Sequence, residues 1–155
     1  MNITLEELMN ASLRELEEIY LNEPVRDKPS GGEYRGTVLK RLNNPGANNR
    51  FNILSQWALF DLSPFGINFY HGRGNWYFVH PKLTTGEFRW RRQTSRWRDT
   101  ETIGLHYDGS QLPNVIRNLL YDEVKPLSGS LMLGIGGTNA DVNQGDHFFF
   151  ALCRT

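Results

Sequence analysis

Asp122 and Glu123 stand side by side in an otherwise apolar stretch, between Leu119, Leu120, Tyr121 and Val124. Successive side chains of a strand point to opposite faces, so one carboxylate turns inward and the other outward. A carboxylate taken out of water needs a partner, or its pKa rises. Arg35 or Arg96 could be that partner, and the buried pair would either fix strand register or hold the polar end of a bound molecule. Tyr34, Tyr107 and Tyr121 add hydroxyl donors. With Asp122 or His106 as acid or base and an arginine steadying a developing anion, the same set would serve an isomerase, a cyclase or a lyase.

The histidines His71, His80, His106 and His147 form no HxH or HExxH pair, so no metal site is expected from their spacing. His106 alternates with Ile103, Leu105 and Tyr107; if those three face inward, it faces out. His147 shares the parity of Phe149 and Ala151. The run Gly134-Ile135-Gly136-Gly137-Thr138 lacks the spacing of a phosphate loop, has no helical pattern after it, and reads as a glycine-rich strand end. No serine with a base and an orienting acid is legible. Arg89, Arg91, Arg92, Arg96 and Arg98 interleave with Trp90 and Trp97. Such a cluster binds nucleic acid or a small anion, or is simply an exposed strand face and loop.

Composition narrows these options. Lys+Arg 17 against Asp+Glu 17 leaves no net charge, which speaks against a nucleic-acid partner. Cys153 is the only cysteine, so no internal disulfide forms and a reducing compartment is expected. No apolar stretch reaches the roughly 20 residues of a membrane span. Met-Asn-Ile-Thr followed by acidic residues does not read as a signal peptide. The expected setting is the cytoplasm, with no membrane partner.

These residues need a frame to hold them. Thr4 to Glu7 reads as a capping box, and the apolar positions Leu5, Leu8, Met9, Leu13, Leu16, Ile19 and Tyr20 then fall on one face of a single amphipathic helix within residues 1–23. That wide face would lie across a barrel or pair two copies as a homodimer. A turn-rich linker follows, and residues 24–155 form the main domain. Strands are read at 33–42, 67–70, 76–79, 85–92 and 101–107, with Gly72 and Gly74 giving the 71–75 turn its positive φ. Residues 50–62 carry Phe51, Leu54, Trp57, Ala58 and Leu62 at helical spacing, which predicts a second helix after the first strand. Residues 119–155 read as a meander ending in the aromatic run 147–153. A last strand that stops at the end of the chain needs a partner already made, and the first strand is the simplest. The fold class expected is all-β, an antiparallel barrel of about eight strands.

The pattern resembles the calycin superfamily of lipocalins and fatty-acid-binding proteins. Gly32-Glu33-Tyr34-Arg35-Gly36 at the first strand, the helix after it, Asp122-Glu123-Val124-Lys125 in the meander and the terminal strand from Phe148 to Arg154 carry the likeness. The resemblance implies a lipocalin-like barrel around a small, largely apolar ligand. Phe69, Trp76, Phe78, Trp90, Tyr107, Phe148 and Phe150 are the candidate walls; Arg35, Asp122 and Tyr34 are the candidate polar anchors. No cofactor is expected, although haem-binding members use a histidine in a late strand and His147 is the candidate of that kind. The barrel enzyme is the alternative, with Asp122 and His106 as catalytic groups. A filled barrel that docks partners through its N-terminal helix is a third reading.

Overall fold

The computed structural model describes residues 3–42, 60, 62–141 and 147–155. Its strands are β1 (Gly32–Leu42), β2 (Phe65–Tyr70), β3 (Arg73–Phe78), β4 (Thr84–Thr94), β5 (Glu101–His106), β6 (Leu120–Pro126), β7 (Leu131–Thr138) and β8 (His147–Arg154). They pair antiparallel in chain order and close into one eight-stranded barrel. The closing ladder joins β1 to β8, from Tyr34 opposite Arg154 to Leu42 opposite His147, with a bulge between Val38 and Lys40. The terminal strand thus finds the partner expected for it. The helix expected at 50–62 lies outside the described residues, apart from Phe60 and Leu62. Among the described residues no helix is long and apolar enough to cross a membrane.

The N-terminal segment corrects the sequence reading. It holds two helices, α1 (Leu5–Asn10) and α2 (Leu13–Asn22), not one. Thr4 and Glu7 form the expected capping box, but Ser12 and Glu15 form another. The Glu15 carboxylate accepts from the Ser12 amide at 2.7 Å, and the Ser12 hydroxyl accepts from the Glu15 amide at 3.3 Å. That reciprocal pair starts a new helix and ends the earlier one. The break redirects the apolar face: Leu8, Leu16 and Tyr20 are fully buried, while Met9 and Leu13 are exposed. The buried three lie in one apolar cluster with Leu131, Leu133, Ile135, Phe149 and Ala151, on the outer wall of β7 and β8. This is the first of the two arrangements read for that face, the one lying across the chain's own barrel.

The barrel therefore has two cores. Inside, Tyr34, Phe65, Ile67, Phe69, Trp76, Phe88, Ile103, Leu105, Tyr107, Val124, Met132, Phe148, Phe150 and Leu152 fill the lumen. Outside, α1 and α2 cover β7 and β8. Residues Leu131 to Gly136 and His147 to Leu152 are consequently buried on both faces. This explains why these runs read as continuous apolar stretches and not as alternating ones.

The β2–β3 hairpin turns on His71-Gly72, and only Gly72 has positive φ, at 72°. Gly74 is an ordinary strand residue, and the Phe88 ring occupies the place its side chain would take. Gly66 is held more tightly, since a Cβ there would stand 2.1 Å from the Tyr34 carbonyl oxygen and 2.4 Å from the Tyr77 ring. A backbone atom cannot give way as a side chain can. Gly66→Ala is expected to lower stability by about 3 kcal/mol in urea titration, near the upper end for overpacking. Gly129→Ala, where the added methyl meets nothing within 4 Å, should fall within about 0.5 kcal/mol of the parent.

Candidate functional site: a buried carboxyl and an apolar cavity in the barrel

Asp122 faces the lumen from β6, opposite Leu105 on one side and Gly136 on the other. Its place depends on that glycine, because a Cβ at position 136 would come within 2.3 Å of Asp122 Oδ1. The Tyr107 hydroxyl donates to Asp122 Oδ2, and the Trp76 indole N–H donates to the Tyr107 hydroxyl. The Gly137 amide gives a further bond. Burial dominates all the same and pushes the Asp122 carboxyl from 3.8 up to about 7. Burial and the adjacent carboxylate hold Tyr107 well above its ordinary value, so it stays a donor. Three side chains, from β3, from the residue after β5 and from β6, thus form one polar chain in an apolar interior. Among the described residues Asp122 has no arginine partner; Arg35 points outward from β1 beside Tyr77.

Glu123 faces the other way, as alternation requires, but it does not reach water. It is fully buried between the barrel wall and α2. Its carboxylate accepts from Ser95 Oγ at 2.5 Å, the Arg96 amide at 2.6 Å, the Tyr121 hydroxyl at 2.9 Å and the Tyr20 hydroxyl at 3.0 Å. Arg96 contributes its backbone N–H here, while its guanidinium lies over the Tyr121 ring. Nearby, Lys125 Nζ donates to the Tyr20 carbonyl oxygen and to Thr100 Oγ1. Arg98 pairs with Glu17 at 2.5 Å. These groups fasten α2 to the barrel and account for Arg96 and Arg98 of the arginine-rich segment.

The structure brings together the residues read as walls. Phe69, Trp76, Tyr107, Phe148 and Phe150 are buried in the lumen cluster, with Phe78 and Trp90 packed against it. One end is filled by rings: Phe60 packs on Phe65, Trp76, Phe78 and Phe148 with centroids 5.0 to 5.9 Å apart. Tyr34 lies toward the opposite end, edge-on to Phe69, and its hydroxyl donates to the Ser30 carbonyl oxygen at 3.2 Å. The two imidazoles stand elsewhere. His106 is on the outer wall, with Nε2 2.7 Å from Gln93 Oε1 and 3.1 Å from Arg91 Nε. His147 is also on the outer wall, its ring 4.2 Å from that of Trp97 and its Nε2 2.9 Å from the Thr138 carbonyl oxygen. Neither shares a space with Asp122.

The end beside the 25–30 linker holds a cavity of about 520 Å³. Trp90, Ile103, Met132 and Pro126 give it an apolar floor. Arg26, Asp27, Lys28, Arg92, Ser128 and Gly129 form much of its rim. Sequence reading missed most of this set. The linker Pro24-Val25-Arg26-Asp27-Lys28 reads as turn-forming, and its two cations are the signal that could have pointed to a charged rim.

No protein-family model matches the chain, and no curated protein matches it. A solved structure is similar to it, described as the crystal structure of a protein from Thermomonospora curvata. It has 17% sequence identity and a TM-score of 0.53, over 97% of this chain and 93% of that one. At that identity the likeness concerns the fold: a closed, antiparallel, eight-stranded barrel.

Proposed function

We propose that this chain is a cytoplasmic carrier, a calycin-like barrel that binds a small, largely apolar molecule through the mouth beside the 25–30 linker. The observation that carries this reading is the roughly 520 Å³ cavity, with Trp90, Ile103 and Met132 as its floor and charged groups at its rim. Apolar walls with a few polar groups at one edge are the usual make-up of a small-molecule site. A carrier needs an apolar space with one polar edge. Asp122 and His106, the groups read as catalytic, do not line this cavity.

The test is native mass spectrometry of the purified protein beside a denatured, solvent-extracted sample, followed by titration with 1-anilinonaphthalene-8-sulfonate. A retained small molecule, or saturable probe binding weakened about tenfold by Met132→Phe, is the expected result. A clean mass together with probe binding indifferent to Met132→Phe would exclude the carrier reading.

The second reading is an enzyme, an isomerase, cyclase or lyase, and it rests on Asp122, a buried carboxyl held near neutrality against Tyr107. Chemical identification of the extracted compound separates the two. The same compound from the parent and from Asp122→Asn fits a carrier, and a precursor that accumulates only in the variant fits an enzyme.

A further inference from the structure

The β5–β6 ladder is short. It pairs Ile103 with Val124, Gly104 with Glu123 and Leu105 with Asp122, and beyond Leu105 the chain leaves the sheet before returning through α3 (Asn114–Leu119). Where the strands part, the outer wall carries a cleft of about 330 Å³. His106, Tyr107 and Asp108 line one side, Leu120 and Tyr121 the other, and Gln93, Arg96, Arg117, Asn118 and Asn139 complete it.

Its chemistry differs from that of the lumen. Arg117 is held in place by the Ser110 carbonyl oxygen and by Asn114. Arg96 donates to Asn139 Oδ1, and Asn139 Nδ2 donates to the Asn118 carbonyl oxygen at 3.0 Å. A hydrogen-bonded bridge therefore spans the cleft from one arginine to the residue next to the other. Against these two guanidinium groups stand Asp108 in the lining and Asp141, an exposed carboxylate 3.8 Å from Arg96. We propose that this cleft is a second ligand site, one that takes the phosphate group of a small phosphate monoester between Arg96 and Arg117, with Gln93, Asn118 and His106 as further hydrogen-bond partners. A phosphate oxyanion accepts donors from several directions, which suits guanidinium and amide groups arriving from different elements. Burial, with Arg91 behind it, pushes the His106 imidazole below its ordinary value, whereas Asp108 opposes them. A dianion beside His106 would oppose them as well.

The test uses the full chain with inorganic phosphate, phenyl phosphate and benzoate, read by calorimetry and by the imidazole resonances of His106. Saturable phenyl phosphate binding is expected, together with an upward shift of the His106 titration. Arg96→Gln and Arg117→Gln should each weaken binding about tenfold, the size of one lost charge-assisted hydrogen bond. Asn118→Asp places a negative charge at an exposed position without touching the core and should weaken it at least as much. Arg14→Gln, which removes an exposed cation on α2, should leave it unchanged. No saturable binding, or an affinity unchanged from the parent in all three cleft variants, would overturn the proposal. Benzoate binding as tightly as phenyl phosphate would overturn the phosphate assignment.

Discussion

Glu123→Ala is expected to cost about 4 kcal/mol and to release the N-terminal helices from the barrel. The magnitude follows from what is left behind. The carboxylate accepts from four donors, and they come from α2, from the segment after β4 and from β6. Removing it leaves buried hydroxyls and a buried amide without an acceptor, and each such group costs about 1–3 kcal/mol when nothing replaces the bond. The Tyr20 hydroxyl keeps a second partner in Thr102 Oγ1, 2.7 Å away, so the total falls short of four full penalties. Urea unfolding gives the energy. Limited proteolysis gives the location, because release of α2 exposes the linker after it, and cleavage near residues 23–31 should outpace loss of the barrel. Glu123→Gln keeps one acceptor oxygen but turns an amide toward donors, so a smaller loss of about 2 kcal/mol is expected. A cost below about 1 kcal/mol for the alanine variant would mean that the apolar cluster around Leu8, Leu16 and Tyr20 holds the helices without it.

The same residue shows where sequence reading stops. Alternation placed Asp122 and Glu123 on opposite faces of β6, and they are on opposite faces. It could not show that the outer face of β6 lies under α2, because the cover comes from residues about a hundred positions earlier. Closure of the barrel was legible for a local reason: the aromatic run 147–153 read as a strand in need of an edge, and β1 is the edge it pairs with. The break between α1 and α2 was also legible in principle. Ser12-x-x-Glu15 repeats the pattern of Thr4-x-x-Glu7, but the apolar periodicity runs straight through it and hides it. The partner of Asp122 was legible only in part: an arginine was expected, while Tyr107 was read both as a hydroxyl donor and as a wall, and a phenol serves as both at once. The cavity was hidden for the opposite reason. Apart from Trp90, which was read as a wall, its floor is Ile103, Met132 and Pro126, which look like any core residues, and part of its rim belongs to a linker without periodicity.

Asp122→Asn is expected to be more stable than the parent at pH 8, by about 2 kcal/mol, and to lose the parent's pH dependence below that. The folded chain holds the Asp122 carboxyl at about 7, against 3.8 for the ordinary group. Between those values the folded state keeps a proton that the unfolded state has released. Stability therefore falls as pH rises through that window, and the fall is complete once the folded carboxyl has ionised. The full cost is about 4 kcal/mol, since each tenfold difference in proton affinity is worth about 1.4 kcal/mol. An asparagine carries no charge, can accept from the Gly137 amide through its oxygen and can donate to the Tyr107 hydroxyl through its nitrogen. It therefore escapes the ionisation cost while keeping most of the geometry, and imperfect hydrogen bonds reduce the gain to roughly half. Urea midpoints of both proteins from pH 4 to pH 9 test this. The difference between the two curves isolates Asp122, because every other carboxylate and histidine titrates in both proteins. Curves that run parallel would mean that Asp122 is already ionised at acid pH and that its bonds from Tyr107 and Gly137 outweigh burial. In that case the barrel holds a fixed negative charge at its centre, and a carboxylate-bearing ligand would be repelled from the lumen.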